Sequence, residues 1–328
     1  MKRVKKNLVI LLVLLLVFGV SLFIGRYPQP FFTPIQILGE DELALRVLLN
    51  IRLPRIIAAM LLGASLSLSG YIFQMTFSNP IADGGVLGIN QAAGFGAALA
   101  IIIGGYSFFS VQISALLFGL LSIILVFLLS KIIHTENKVI NQLFAGIAVS
   151  ATFSSGVGIL KYVADPLQEL PNIVFWLLGD LSSITWERLL PVVPQIMLGI
   201  LLLWMLRWRV NILAVDEDVA FSLGVKSQRE KLLFLAVAIF LTASVISYAG
   251  LVGWVGLIIP NIVRTLYGST GQKTIPAILM MGAGYTVICD TLARSLIPGE
   301  IPLGIFTALI GALLLIVMVG MRKMKIHL

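Results

Sequence analysis

Charge is scarce in this chain: Asp, Glu, Lys and Arg together make up 12% of 328 residues, against 59% apolar residues. Cysteine occurs once, as Cys289 inside an apolar run, so neither an internal disulfide nor a cysteine-based metal site can form. Histidine occurs twice, at His134 and His327, both outside the apolar runs. A histidine triad or metal pair within those runs is therefore excluded, and no metal or cofactor is expected. A phosphate-binding loop is missing too. The nearest stretch, "GSTGQKT" (268–274), puts Gln272 between Gly271 and Lys273 where the motif needs Gly-Lys-Ser/Thr, and no strand precedes it. An enzyme, and above all a chain that hydrolyses nucleotide by itself, is not expected.

What is present is hydrophobicity beyond that of a soluble domain, with a mean hydropathy of +1.05. Runs long enough to cross a hydrocarbon core of roughly 30 Å recur along the whole chain. A barrel would show short alternating strands instead. The expected fold is an all-α polytopic membrane protein, one transmembrane domain over residues 1–328. Ten crossings are predicted near 8–25, 56–77, 86–104, 108–130, 139–161, 188–206, 232–250, 256–267, 274–293 and 302–320. The eighth is too short to cross alone and reads as a half-helix buried against protein. The opening "MKRVKKNLVILLVLLLVFGVSLFIG" has a basic start, but its apolar run is too long for a signal-peptide core. It reads as a retained first span.

The net charge of +8, from 23 Lys+Arg and 15 Asp+Glu, would suggest nucleic acid in a soluble protein. Here the distribution points to membrane orientation, and no nucleic-acid partner is expected. With the N-terminus in the cytoplasm, 16 of the 23 basic residues fall on the cytoplasmic side. Glu40, Asp41, Glu42, Asp165, Glu169, Asp180, Glu187 and Glu300 collect on the other. The positive-inside rule is obeyed, and both termini come out cytoplasmic. Arg52, Arg55 and Arg294 oppose the trend. An arginine near a helix end can snorkel to the headgroups, and Asp290, one helical turn before Arg294, also allows an internal pair.

Small residues crowd the spans, as in "GASLSLSG" (63–70), "GINQAAGFGAALA" (88–100) and "GAGYTVICD" (282–290). Such stretches let helices approach closely in lipid. "SNPIAD" (78–83) forms a turn between the second and third spans, because Pro80 cannot continue a helix and Asn79 can satisfy freed backbone groups. "PNI" (260–262) is a second proline break near the eighth span. The largest cytoplasmic segment, 207–231, ends in "VDEDVAFSLGVKSQREK" (215–231), a mixed-charge island. It reads as two short helices around Ser222–Gly224. Its apolar stripe of Val219, Ala220, Leu223 and Val225 needs a packing partner, either a cytoplasmic protein or the membrane surface.

Several of these stretches stand together. "RLPR" (52–55), "GASLSLSGYIFQMTFSNPIADGGVLGIN" (63–90), "FWLLGDLSSITWERL" (175–189), "VAFSLGV" (219–225), "GLVGWVGLIIPNIVR" (250–264) and "DTLARSLIPGEIPLGIFTALIGA" (290–312) follow in one order. In this the chain resembles FecCD-type permeases, the membrane subunits of type II ATP-binding-cassette importers for ferric siderophores, haem and cobalamin. The resemblance runs from about residue 45 onward. It implies ten spans, a second permease subunit (a like or related chain), two cytoplasmic ATPase subunits and an extracytoplasmic substrate-binding protein, in the cell membrane of a prokaryote. By that likeness the coupling helices lie at about 214–231, with Val219, Ala220, Ser222, Leu223, Gly224 and Val225 docking on the ATPase. Arg52, Arg55 and Arg294 dock the binding protein. Asn79, Pro80 and Ile81, with Val139 and Ile140 at the start of the fifth span, form the cytoplasmic gate. The family often carries His where this chain has Asn261, so no titrating imidazole acts there. The expected function is passage of a chelated iron compound, a ferric siderophore first. Haem, cobalamin or a molybdate-type oxyanion are the alternatives within the architecture. An ion-coupled secondary transporter would want membrane-embedded carboxylates, for which only Asp290 qualifies.

Overall fold

In lipid, a backbone without water must satisfy its own N–H and C=O groups, so long apolar runs have to coil into helices. The computed structural model describes residues 2–28, 31–85, 87–104, 107–133, 138–214, 227–268 and 271–326. Its helices are α1 (Lys2–Phe23), α2 (Glu42–Val47), α3 (Leu53–Thr76), α4 (Ile89–Gly104), α5 (Phe108–Ile132), α6 (Lys138–Val163) and α7 (Glu169–Leu178). There follow α8 (Trp186–Leu189), α9 (Val193–Met205), α10 (Ser227–Ala249), α11 (Val255–Tyr267), α12 (Gly271–Ser295) and α13 (Leu303–Ile326). Among the described residues, seven helical stretches are long and apolar enough to cross a membrane. Shorter apolar stretches, α4, α11 and residues Leu303–Met318 of α13, lie where the other three crossings are expected. We call the end where α1 begins the lower end and the opposite one the upper end.

The second crossing is longer than predicted. Its apolar stretch runs from Glu42 to Thr76, because a π-helical turn (Leu48–Arg52) joins α2 to α3. Pro54 does not stop this run: the Leu49 carbonyl, next in the π-helical register after the Leu53 N–H to Leu48 O bond, accepts from Trp186 Nε1 at 2.9 Å instead. Asp41 starts α2, its Oδ1 accepting from the amides of Leu43 at 2.8 Å and Ala44 at 3.3 Å. The sixth crossing begins at Val193, later than the predicted 188, with Pro194 in its first turn. The segment 162–187, which separates the predicted fifth and sixth crossings, contains the apolar helix α7. The eighth crossing is short as expected. The 13 residues of α11 rise roughly 20 Å and carry Pro260 inside the helix.

α3 is the centre of the bundle, packed against α10, α11 and α12, while α4 packs on α5 and α6. Its small residues do what the sequence suggests. A Cβ on Gly63 would overlap the carbonyl of Gly282 in α12, and one on Gly70 would overlap that of Gly256 in α11. Hydroxyls bridge the close-set helices: Thr286 Oγ1 donates to Ala59 O at 2.6 Å, Tyr248 to Ala58 O at 2.8 Å, and Ser69 to Ala238 O at 2.9 Å. By contrast, α1 turns Leu8, Leu12, Leu15 and Leu16 outward, as a lipid-facing helix does.

Candidate functional site

At the upper end, the end of the π-helical turn and the first turn of α3 set Arg52 and Arg55 three residues apart, and both are buried at 4% exposure. Arg52 donates to Leu22 O, Thr33 Oγ1 and Tyr27 O, each at 2.9 Å. Arg55 Nε lies 2.9 Å from Asp290 Oδ1, and its Nη1 lies 2.8 Å from Glu300 Oε2. Arg294, 6% exposed, donates to the backbone and hydroxyl oxygens of Ser21, and its Nε lies 3.6 Å from Asp290 Oδ2. The internal pair of Asp290 and Arg294 that the helical spacing allows is therefore present. The sequence did not reveal that Arg55 shares Asp290 and reaches Glu300. All three arginines are engaged inside the chain, so none presents a free guanidinium at the surface, and none snorkels.

Glu300 is the outermost member of this cluster, its side chain 37% exposed, and it lines a cavity of about 450 Å³. Phe108, Phe175, Trp176, Asp180 and Ser183 line the same cavity, and among the described residues no Lys or Arg does. One residue of its lining, Gly250, packs against Gly179 in a glycine junction beside the cavity. Gly179 (φ 71°) and Gly250 (φ 68°) adopt left-handed backbone, and a Cβ on Gly304 would overlap Leu178 O. Across this junction Asp180 N donates to Ala249 O at 2.9 Å and Gly304 N to Gly179 O at 3.3 Å. Sequence reasoning passed these glycines by, although "FWLLGD", "AGLVGW" and "IPLG" contain them. Outside the spans, Tyr27 donates to Asp41 at 2.9 Å, which lowers the Asp41 carboxyl below its ordinary range and raises the Tyr27 phenol.

At the lower end, the 78–83 turn follows α3. Asn79 Oδ1 accepts from Ile81 N at 3.0 Å, and Asn79 N donates to Gln74 O at 3.1 Å. Pro80 is exposed, Ile81 is 59% exposed, and Ile140 in α6 is 40% exposed. Val139 lies in the first turn of α6, and its side chain is outside the described residues. Phe77 and Leu87, flanking the turn, line a small apolar crevice together with Gln142 of α6. Asn261 of α11 meets the turn itself, its Nδ2 donating to Pro80 O at 2.8 Å.

Val219, Ala220, Ser222, Leu223, Gly224 and Val225 fall within 215–226, outside the described residues. The two flanks of that segment are tied together, Arg209 Nη1 lying 3.0 Å from Glu230 Oε1. Among the described residues, no group of three or more His, Cys, Asp and Glu could hold a metal ion.

A ten-crossing helical bundle with polar constellations at its two ends is the architecture of a membrane permease. This chain belongs to the FecCD transport family, whose model matches residues 11–321. It is 38% identical over 319 residues to the molybdate import system permease protein MolB of Haemophilus influenzae, covering 95% of this chain and 94% of that one. It is 35% identical over 266 residues to a probable iron chelatin transport system permease of Helicobacter pylori, covering 81% and 80%. A solved inward-facing ABC transporter of metal-chelate type superposes with a TM-score of 0.88 at 37% identity, over 96% of this chain and 98% of that chain. The chain is thus a multi-pass permease subunit of the ATP-binding-cassette importer class.

Proposed function

We propose that the chain conducts a chelated metal compound, a ferric siderophore in the first instance, delivered by an extracytoplasmic binding protein and driven by ATPase subunits at the lower end. The observation that carries this reading is the upper cavity. Aromatic rings, hydroxyls and two carboxylates line its 450 Å³, without a basic side chain among the described residues. Such a lining suits a bulky ligand that already shields its metal, and it opposes a bare oxyanion. The relationship to a molybdate permease favours the second reading, an oxyanion such as molybdate. Co-purification with the binding protein, followed by metal analysis and mass spectrometry of its ligand, separates the two. Iron with an organic chelator supports the first, and molybdenum as free oxyanion overturns it.

Docking belongs to the same proposal. A carboxylate of the binding protein would reach Arg55 by displacing Glu300, and would reach Arg52 or Arg294 only by opening their contacts with the α1 end. Replacing Glu300 by Gln frees Arg55 Nη1 without emptying the core. Association with the binding protein should then strengthen in a salt-sensitive way, and unchanged association removes Arg55 from the docking surface. ATPase docking on Val219–Val225, inner gating by Asn79–Ile81 with Val139–Ile140, and cytoplasmic termini complete the reading. A second permease subunit, identical or related, closes the path.

A further inference from the structure

Pro260 interrupts α11 from within. Because proline has no N–H, the carbonyl four residues earlier, that of Gly256, loses its helical donor. Gln74 of α3 supplies one: its Nε2 lies 3.1 Å from Gly256 O and 3.2 Å from Leu257 O. The other end of this amide, Oε1, accepts from Arg264 Nη2, one turn further along α11. Arg264 Nη2 also donates to Asn261 Oδ1 at 2.9 Å, and Asn261 Nδ2 donates to Leu257 O at 2.7 Å and Pro80 O at 2.8 Å. Two carbonyls face Nδ2 and a guanidinium faces Oδ1, so only this orientation of the Asn261 amide fits. Gln74 is 1% exposed and Asn261 6%, which keeps water from competing for these bonds. One run of hydrogen bonds therefore starts at the proline break of α11 and ends on the backbone of the 78–83 turn.

We propose that Asn261 is a positioning residue for the inner gate: through its bond to Pro80 O, the turn is carried along with α11 instead of moving on its own. This rests on the reading of 78–83 as a gate. Asn261→Asp tests it, because aspartate keeps the shape and the contact with Arg264 but loses both donors. The exposed Ile81 is replaced by Cys as a reporter, and Cys289, 0% exposed, stays silent to a charged maleimide. The assembled transporter, with its ATPase subunits and in lipid nanodiscs, is labelled without nucleotide and with ATP bound.

With Asn261 present, the labelling rate should depend on nucleotide. In the Asn261→Asp protein, that dependence should shrink by about three- to tenfold, the equivalent of one hydrogen bond, while ATP hydrolysis continues. Asn261→Gln, which keeps an amide, should restore part of it. A purely structural role would lower thermal stability and leave the nucleotide dependence intact. That outcome overturns the inference. Labelling at 81 that ignores nucleotide even with Asn261 present overturns the gate reading itself, and the inference with it. Should Asn261→Asp fail to assemble, Asn261→Ala removes both donors and is judged by the same outcomes.

Discussion

Asp290 is 0% exposed and stands between two guanidinium groups, 2.9 Å from Arg55 Nε and 3.6 Å from Arg294 Nε. Replacing it by Asn keeps the volume, so no cavity forms and the loss is one of charge. Arg55 retains Glu300, and Arg294 retains only its bonds to Ser21. Breaking one side of a buried pair leaves uncompensated charge inside and costs about 3–5 kcal/mol. Glu300→Gln is the internal control. It removes a charge from the same cluster, but one whose side chain is 37% exposed, so the expected cost is about 1 kcal/mol or less. The assay is unfolding of the purified subunit in mixed micelles with rising SDS, followed by helical circular dichroism. Asp290→Asn should fall well below Glu300→Gln. Replacing Arg294 by Met in the Asp290→Asn background should recover part of the loss, because the stranded cation goes too. Equal costs for the two single variants, or no recovery in the double, would refute the buried-charge argument.

Gly63→Ala should destabilise the subunit by about 1–3 kcal/mol, since the new methyl meets the Gly282 backbone and α3 and α12 must move apart; the same SDS titration reads it. Gly224→Trp should leave the protein inserted and the ATPase active but abolish uptake, measured as transported substrate per ATP hydrolysed; normal coupling would remove the island from the docking role. The Tyr27–Asp41 bond lowers the Asp41 carboxyl, so its contribution is complete above the ordinary carboxylate pKa of about 3.9 and fades as pH falls through the lower folded value. Hydrogen exchange at the amides of Leu43 and Ala44, corrected for intrinsic rates, should accelerate in that acidic window, and Asp41→Ala, which removes the acceptor, should show the acceleration at neutral pH.

The crossings were legible because some twenty apolar residues in a row form a local signal that lipid leaves little freedom to reinterpret. The glycines of 63–70 and 282–284 were legible for the same reason, as composition within one helix. α7 escaped because its ten residues, which begin with Glu169 and stop just before Asp180, are too few to cross. The partners of Arg55 escaped for a different reason. Asp290 and Glu300 lie 235 and 245 residues away, and spacing along one helix reports only the Asp290–Arg294 pair. Gln74 shows what a stricter reading could have found. Pro260 inside a helical run leaves the Gly256 carbonyl in need of a donor, and a lone amide in the facing helix is a natural supplier.

The central claim is that this chain is an unpowered path whose motion comes from a nucleotide-hydrolysing partner. Proteoliposomes holding the permease with its ATPase subunits, binding protein and substrate outside and ATP inside, measure it directly. Substrate should accumulate only when both ATP and the ATPase subunits are present, and dissipating the proton gradient should leave accumulation intact. Accumulation by the permease alone, or accumulation abolished by the protonophore with ATP present, would contradict the account.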